Sequence, residues 1–278
     1  MTTKNLSIKD DSFGNGIEQK LSVRIASTTF EIAVLDTSRS TIVAFESWRF
    51  DNNDDPGNFA DSLEKIRSDS FSLGRHYNKA NVIIDSAVYT LIPAELFKEE
   101  EAEKYIEFNH SLASKEAVHF DSIESIAVKN VYQVPLSVEK VCRQWFTDLK
   151  FQNTCTILIN SRLKIKSTPE TVFVYFSGNR FDVIVADNGR LKFCNSFTFS
   201  SAQDIIYYIL NVYQKLGMDT SATPIMLAGE ITKESSGYET IYRYIRNVSF
   251  AQRPDNIQLC EALKEMPEQM YFDLFSNF

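Results

Sequence analysis

Three short polar stretches carry the residues that could line a ligand-binding cleft. They are Ser27-Thr28-Thr29, Ser177-Gly178-Asn179-Arg180 and Gly229-Glu230. The first offers three hydroxyl groups, and the second joins a glycine turn to a guanidinium. Backbone N–H groups at such a turn can approach a phosphate, and an arginine can pair with it. The first two stretches are equally ordinary hairpin connections, so both interpretations stay open.

Other catalytic signatures are missing from the sequence. The histidines, His76, His110 and His119, form neither an H-x-x-x-H nor an H-E-x-x-H pair, and no G-x-S-x-G, P-loop or G-x-G-x-x-G motif occurs. The four cysteines are scattered, and Cys142 and Cys194 lie in apolar patterns that indicate small buried hydrophobes in a reducing compartment. We therefore predict no catalytic residue and no metal site.

Composition limits the classes of function. The chain has 278 residues, is 44% hydrophobic and carries a net charge of -8. No basic run is interleaved with aromatic residues, which argues against a nucleic-acid partner. The polar N-terminus resembles no signal peptide, and no run of about 18 apolar residues occurs. We expect a soluble cytoplasmic protein without a transmembrane segment.

Two nearly identical heptapeptides suggest an internal repeat. "FEIAVLD" covers residues 30–36 and "FDVIVAD" covers residues 181–187. Alternating or continuous apolar runs lie before and after each of them, separated by short polar connections, which predicts three strands joined by two tight turns in each copy. Asp36 and Asp187 end their strands, and we expect them to cap the turns that follow.

Amphipathic helices follow both triplets of strands. In the second copy, Ser200 or Ser201 can cap the helix and Gly217 can end it. Its apolar stripe has a 3.6-residue period and consists of Ile205, Ile206, Ile209, Val212, Tyr213 and Leu216. In the first copy, the shorter stripe consists of Phe59, Leu63 and Ile66.

The remaining elements are predicted to match in order. Buried strands follow at Asn81–Asp85 and Pro224–Gly229, and helices at Pro93–Leu112 and Tyr238–Val248. The strands "SIAVKNVYQV" and "NIQLC" come next, and the helices Ser137–Lys150 and "EALKEMPEQMYFDLF" close the copies. The order is therefore strand-strand-strand-helix-strand-helix-strand-helix, twice. It predicts an α/β protein with mixed sheets, divided into residues 1–165, with an extra segment at about 93–133, and residues 166–278.

This order resembles the actin-like ATPase (ribonuclease H-like) fold of actin, the 70-kilodalton heat-shock chaperones, sugar kinases and pilus platform proteins. "YTLIPAELF", "YIEFN", "LAGEI" and "YFDLF" resemble, more closely, a Bacteroidetes family called domain of unknown function 3822. The resemblance spans nearly the whole chain. It implies two similar halves that face a cleft, and it implies no activity.

The resemblance also implies where Mg-ATP would bind. In actin-like ATPases the first strand turn of each half approaches the phosphates, and a D-x-G pattern supplies a metal-organising acid and a glycine. The first turn here has no Asp or Gly between Ile25 and Phe30. The second keeps Gly178 but has Phe176 or Ser177 where the acid is expected. Phosphoryl transfer needs a bound cation, so ATP hydrolysis is disfavoured.

The adenosine-binding turn of such proteins usually has two adjacent glycines. Here Gly229 matches and Glu230 does not. The Glu230 side chain would either block the nucleotide or accept a hydrogen bond from a ribose hydroxyl.

We therefore predict a non-catalytic interaction module that binds a protein partner, needs no cofactor and has lost the ATPase residues. The alternative is a nucleotide- or small-molecule-binding enzyme that uses the cleft. The alternative predicts that Thr28, Arg180 and Glu230 converge on one polar pocket. Under either function, we expect Arg180 to be mostly solvated, because it lies in a turn. The module predicts a cleft filled by bulky side chains and an exposed aromatic patch elsewhere.

Overall fold

The computed structural model describes residues 2–14, 18–50, 56–77, 79–111, 116–164 and 170–278, apart from the side chains of residues 56–60. The chain forms two compact units. Unit 1 comprises Met1–Ile157, Pro254–Glu265 and Asn277–Phe278, and unit 2 comprises Leu158–Arg253 and Met266–Ser276. The predicted boundary between residues 165 and 166 lies outside the described residues.

The elements alternate between strands and helices in both units. Unit 1 contains β1 (Thr2–Lys9), β2 (Gln19–Ile25), β3 (Thr29–Asp36), β4 (Thr41–Phe50), α1 (Pro56–Asp69), β5 (Ala80–Ile84), β6 (Tyr89–Pro93), α2 (Ala102–Glu107), β7 (Glu116–Ile123), β8 (Val128–Pro135), α3 (Leu136–Trp145) and β9 (Leu149–Asn153). The helix α4 (Thr154–Leu163) carries the chain into unit 2.

Unit 2 repeats the same kinds of element over a shorter length. It contains β10 (Thr171–Ser177), β11 (Arg180–Asp187), β12 (Arg190–Thr198), α5 (Ala202–Leu216), β13 (Ile225–Gly229), α6 (Ser236–Tyr244) and β14 (Val248–Phe250). The chain then adds β15 (Gln258–Leu259) to unit 1 and ends with α7 (Phe272–Ser276) in unit 2.

The main sheets of the two units share one topology. Among the described residues, the strand order is β1-β4-β3-β2-β5-β9 in unit 1 and β12-β11-β10-β13-β14 in unit 2. In both, an antiparallel meander of three strands continues into two parallel strands. The mixed α/β sheets predicted from the sequence are therefore confirmed, and unit 1 adds β1 outside the shared five strands.

The repeated heptapeptide occupies the middle strand of each meander. Phe30 and Phe181 are the second residues of β3 and β11, and both are fully buried. A bulge follows Val34 in the pairing with β4 and follows Val185 in the pairing with β12, four residues beyond each phenylalanine. The two phenylalanines therefore hold the same sheet position, as the repeat predicts. Descent of both units from one duplicated ancestor stays a prediction.

The strongest helix forms where its pattern predicts. Ser201 caps α5 by accepting a hydrogen bond from the Asp204 N–H at 3.2 Å, and the Asp204 carboxylate accepts one from the Ser201 N–H at 2.9 Å. Gly217 ends α5 with a φ of 67°. The predicted stripe packs into the unit 2 core, because Ile205, Ile206, Ile209, Val212 and Tyr213 are buried there.

Other predicted details have mixed outcomes. Asp36 accepts hydrogen bonds from the Ser38 N–H at 3.0 Å and its hydroxyl at 2.6 Å, so its turn-capping role is confirmed, and these bonds lower the pKa of Asp36. Asp187 instead contacts side chains, those of Asn188 and Lys192. Cys142 is buried as predicted, whereas Cys194 is only half-buried. The stripe residues Leu63 and Ile66 are buried in α1, and the Phe59 side chain lies outside the described residues.

The helix predicted over Pro93–Leu112 is wrong for most of its length. Pro93 ends β6, and α-helix covers only Ala102–Glu107, with Leu112 outside the described residues. Its acidic residues favour a helix, but only Ile106 in α2 is buried, so little packing stabilises a longer one. The extra segment instead builds an antiparallel sheet in the order β6-β8-β7, which includes the strand predicted as "SIAVKNVYQV".

Both outer parallel strands were missed by the sequence interpretation. The helix predicted over Ser137–Lys150 ends at Trp145, and β9 starts at Leu149. The helix predicted to Val248 ends at Tyr244, and β14 starts at Val248.

The last predicted elements of the second copy also differ from the structure. Within "NIQLC", only Gln258–Leu259 forms a strand, and this strand pairs with β4 of unit 1. The predicted closing helix is reduced to a short 3-10 turn over Glu261–Leu263 and to α7, which follows the interrupting Pro267.

No helix in the described part of the chain has both the length and the apolar character needed to cross a bilayer.

A buried carboxyl group lies in the inserted sheet. Asp121 of β7 accepts a hydrogen bond from the Asn153 N–H at 2.8 Å and one from the Tyr132 hydroxyl at 3.4 Å. Burial raises the pKa of Asp121 to about 6, against the opposing effect of the Asn153 hydrogen bond. The folded protein therefore binds this proton more tightly than the unfolded chain does.

The stability that Asp121 contributes should depend on pH. This stabilising contribution is fully present in acid, where Asp121 is protonated, and is lost as the pH rises through about 6. Ionising the Asp121 carboxyl in the folded protein costs about 3 kcal/mol of stability at neutral pH. We expect the Asp121→Asn variant to lose less stability between pH 5 and 7.5 than the parent. Urea unfolding at several pH values measures this difference, because the other titrating groups are common to both proteins. Parallel pH profiles would contradict the prediction.

Candidate functional site

The glycine turn of unit 2 is closed by a carboxylate of the same unit. Gly178 and Asn179 connect β10 to β11, and Gly178 has the positive φ of 57° that suits the first central position of a two-residue hairpin. The Gly178 N–H donates to Glu230 Oε2 at 3.3 Å. The Asn179 carbonyl accepts from the Phe199 N–H at 2.9 Å. The amide that an anion would approach is therefore already paired with an anionic group.

Gly229 is required by the packing of two strands. Its φ is 82°, and a Cβ at this position would lie 2.1 Å from the Phe176 carbonyl oxygen of the neighbouring β10. The next residue, Glu230, donates its N–H to that same carbonyl at 2.9 Å. Any side chain at 229 would break this contact, so strand packing by itself explains the glycine.

Arg180 is buried in an ion pair, which corrects the expectation that it is solvated. Only 8% of the residue is exposed, and its Nη2 lies 3.3 Å from Oδ2 of Asp182, which is 1% exposed. The Ser196 hydroxyl donates to the other carboxylate oxygen of Asp182. Both residues lie on β11, and alternation along the strand directs them to the same face. The Arg180 charge therefore balances a buried acid.

The hydroxyl stretch of unit 1 forms the equivalent hairpin. The Ala26 N–H donates to the Thr29 carbonyl, so Ser27 and Thr28 make a two-residue connection. Ser27 is exposed, Thr28 is half-buried and Thr29 is buried. The Thr28 carbonyl accepts from the Phe50 N–H at 2.8 Å, as Asn179 does from Phe199 in unit 2. Whether Thr28 meets Arg180 and Glu230 stays a prediction.

A buried arginine stands beside this first turn. Arg24 is 1% exposed and donates to Glu31 at 3.0 Å, to Asp85 at 2.5 Å and to the Thr29 hydroxyl at 3.4 Å. A buried arginine needs such partners because an isolated charge costs several kcal/mol to desolvate. Glu31 and Asp85 therefore share a cationic partner within unit 1.

The acidic second residue of the repeated heptapeptide is paired with an arginine in both units. Glu31 follows Phe30 and Asp182 follows Phe181, so the two acids hold equivalent positions. Each is buried and paired with an arginine of its own unit, Arg24 or Arg180. The sequence carried a signal for these pairs, because an acid inside an apolar strand is expected to need a cationic partner.

A second pair of equivalent acids follows the first parallel strand. Asp85 comes directly after β5, as Glu230 comes after β13. The Asp85 N–H donates to the Ile25 carbonyl at 2.9 Å, as that of Glu230 does to Phe176. Sequence interpretation missed Asp85 as a site residue, although an acid directly after a buried strand is a recognisable signal. Both carboxylates are engaged, Asp85 by Arg24 and Glu230 by the Gly178 amide.

Several groups that could meet a phosphate are already paired within their own unit. In unit 2 the Gly178 amide and the Arg180 guanidinium both have carboxylate partners, and in unit 1 Asp85 has a guanidinium partner. In the described part of the chain, no three His, Cys, Asp or Glu side chains are grouped so that they could hold a metal ion.

The family described as "Protein of unknown function (DUF3822)" matches residues 10–248 of the chain. The chain belongs to this family. A comparison with curated proteins found no match for this DUF3822 chain.

Solved structures show the fold of this DUF3822 protein. A Bacteroides thetaiotaomicron VPI-5482 protein, described as having an actin-like ATPase fold and unknown function, is similar with a TM-score of 0.77 and 20% identity over 87% of this chain and 94% of that one. The PilM-PilN type IV pilus biogenesis complex is similar with a TM-score of 0.62 and 10% identity over 93% and 97%.

A third structure agrees with these two. The ethanolamine utilization protein EutJ from Carboxydothermus hydrogenoformans has a TM-score of 0.54 and 10% identity over 97% of this chain and 90% of that one. The predicted actin-like fold and the predicted family are both confirmed. At these identities the structural likeness shows the fold alone.

Proposed function

We propose that this protein is a cytoplasmic, non-catalytic interaction module, an actin-like fold that does not hydrolyse ATP and that binds a protein partner. The observation that carries the proposal is the pairing of Glu230 with the Gly178 amide. A phosphate would have to displace this carboxylate, and two anions on one amide would repel each other. The rival function, a nucleotide-binding enzyme, needs that amide to be available.

The buried ion pairs support the same conclusion. If Arg180 turned toward a phosphate, it would break its buried ion pair with Asp182, which costs about 3 kcal/mol or more. Asp85 would abandon Arg24 in the same way if it organised a metal ion. Catalytic use of either group would therefore work against the stability of its unit.

A protein partner is supported at the level of the fold. PilM, which is similar over most of the chain, is described in a pilus biogenesis complex with PilN. In this chain, exposed aromatic side chains are available for contacts on unit 2, with Tyr207, Tyr242 and Tyr244 more than half exposed. Tyrosine is enriched in the residues that dominate binding energy at protein interfaces.

Measurements with Mg-ATP test the proposal. We expect no phosphate release above a protein-free blank and no shift of the thermal midpoint at about 5 mM Mg-ATP. A ligand present at 100 times its dissociation constant would stabilise the fold by about 2.7 kcal/mol, which a melting curve resolves. Activity or clear stabilisation would favour the enzyme instead.

A matched pair of variants tests whether Glu230 prevents nucleotide binding. Glu230→Ala frees the Gly178 amide, whereas Glu239→Ala removes a carboxylate from the first turn of α6 and leaves the amide paired. If Glu230 blocks the nucleotide, only Glu230→Ala should gain measurable Mg-ATP binding, still without hydrolysis. Phosphate release by the parent that disappears in Glu230→Ala would assign this residue to catalysis and contradict the proposal.

A further inference from the structure

The meander of each unit ends in an outer strand, and the two outer strands differ in their surroundings. In unit 1 the outer strand is β4, and β1 pairs with its far side. In unit 2 the equivalent strand is β12, and no strand in the described part of the chain lies beyond it. An open edge of this kind can accept an additional strand from another chain. β12 has nine residues, whereas β14 at the opposite edge has three.

Unit 1 shows which kind of strand fits such an edge. β1 runs antiparallel to β4, from Thr2 opposite Phe50 to Lys9 opposite Ala44, with a shift of register between Lys4 and Leu6. Lys4 contacts Glu46 at 3.1 Å and lies 5.2 Å above the Trp48 ring. The apolar residues of β1, Leu6 and Ile8, are half-buried. A largely polar strand therefore pairs with residues 44–50 of β4, and its Lys4 lies over the Trp48 ring.

The positions on β12 match those on β4. Phe197 pairs with Phe181 as Trp48 pairs with Phe30, so Phe197 is the equivalent of Trp48. Trp48 is only 2% exposed, whereas Phe197 is half-buried and stacks on Tyr208 with ring centroids 4.8 Å apart. The aromatic platform is thus present in both units, and the strand that covers it is present in one.

We propose that β12 binds an extended segment of a partner protein as an additional antiparallel strand. The proposal rests on the proposed function as an interaction module and names the binding site. The segment carries a lysine or arginine over the Phe197 ring, as Lys4 lies over Trp48, because cations bind aromatic faces.

The same register sets the apolar residues of the segment. They lie beside Cys194 and Ser196, as Ile8 and Leu6 lie opposite Phe45 and Ser47. Asn195 covers the Ser196 N–H through its side-chain oxygen at 3.0 Å, and the incoming strand exchanges this contact for a backbone hydrogen bond.

The test uses the chain's own covering strand as the probe. A fluorescent peptide with the sequence of residues 2–9, TTKNLSIK, is titrated against the full-length protein. The Phe199 N–H points toward β11, because it donates to the Asn179 carbonyl. Successive N–H groups of a strand point to opposite sides, so the Thr198 N–H points to the open edge, and Thr198→Pro removes it. We expect fluorescence anisotropy to show at least tenfold weaker binding to Thr198→Pro than to the parent and to the matched Thr198→Ala control. A peptide carrying Leu6→Pro should also bind at least tenfold more weakly.

Hydrogen exchange on the parent protein makes the test independent of how the proline variant folds. The bound peptide should protect backbone amides of β12. No binding at about 1 mM peptide, equal binding to the proline and alanine variants, or protection confined to β4 would overturn the proposal. A peptide-free dimer that Thr198→Pro makes monomeric, seen by sedimentation, would also overturn it, because the occupant would then be a second copy.

Failure here is distinct from failure of the proposed function. ATP hydrolysis by the parent overturns the non-catalytic proposal and does not change the peptide result. A peptide that fails to bind, in a protein that does not hydrolyse ATP, overturns only the assignment of β12.

Discussion

Replacing Ile209 with aspartate is expected to prevent unit 2 from folding. Ile209 is fully buried in the core cluster that α5 forms with the unit 2 sheet. The change removes most of an apolar side chain and buries a carboxylate without a partner, which together cost about 5 kcal/mol or more. Because whole domains are stable by about 5–15 kcal/mol, this loss is decisive.

Tyr207→Asp is the matched control, because it places the same residue on the same helix. Tyr207 is 66% exposed, so an aspartate there stays hydrated and should cost about 1 kcal/mol or less. Circular dichroism melts of both purified variants compare them. A folded Ile209→Asp protein with a midpoint near that of the parent would mean that the buried face of α5 is assigned wrongly.

Replacing Gly229 with alanine is expected to have the second-largest effect. The added methyl group would lie 2.1 Å from the oxygen and 2.9 Å from the nitrogen of Phe176. These are backbone atoms of the neighbouring strand, so the pairing of β13 with β10 has to shift. The positive φ of 82° adds strain to the contact. We expect a loss of about 3 kcal/mol or more in the free energy of unfolding.

Gly217→Ala separates the contact from the strain. Gly217 also has a positive φ, of 67°, but a Cβ there meets nothing within 4 Å. Its replacement should therefore cost only about 1 kcal/mol. Urea unfolding of the two variants measures the difference, and equal losses would show that the close approach of Gly229 to Phe176 contributes nothing.

The sequence determined the parts of this protein that local patterns specify. The capping box at Ser201, the stripe through Ile209 and the stop at Gly217 place α5, because capping and a 3.6-residue period act within a few residues of one another. The repeated heptapeptides place the middle strands in the same way. Phe30 and Phe181 occupy one position because alternation and tight turns fix the register of a meander.

Some elements were decided by partners that lie far away in the chain. β14 is three residues long, and β15 is two residues long and pairs with β4 more than 200 residues earlier. Segments this short have no period of their own, so only the sheet that receives them makes them strands. The same is true of the inserted sheet β6-β8-β7. β7 is a strand because it pairs with β8, whereas the residues before it favour a helix.

In the candidate site, too, the sequence predicted some features and the tertiary structure decided others. The sequence alone identified the turns at Ser27-Thr28-Thr29 and Gly178-Asn179, and it identified Gly229 and Glu230. Turns are predictable in this way because the preferences of turn residues are local. Only the tertiary structure showed that Arg180 is buried against Asp182, that Arg24 joins Asp85, and that Glu230 reaches the Gly178 amide from 52 residues away. The partner of a buried charged side chain depends on which residues the fold brings next to it. The spacing of residues along the sequence does not predict these distances.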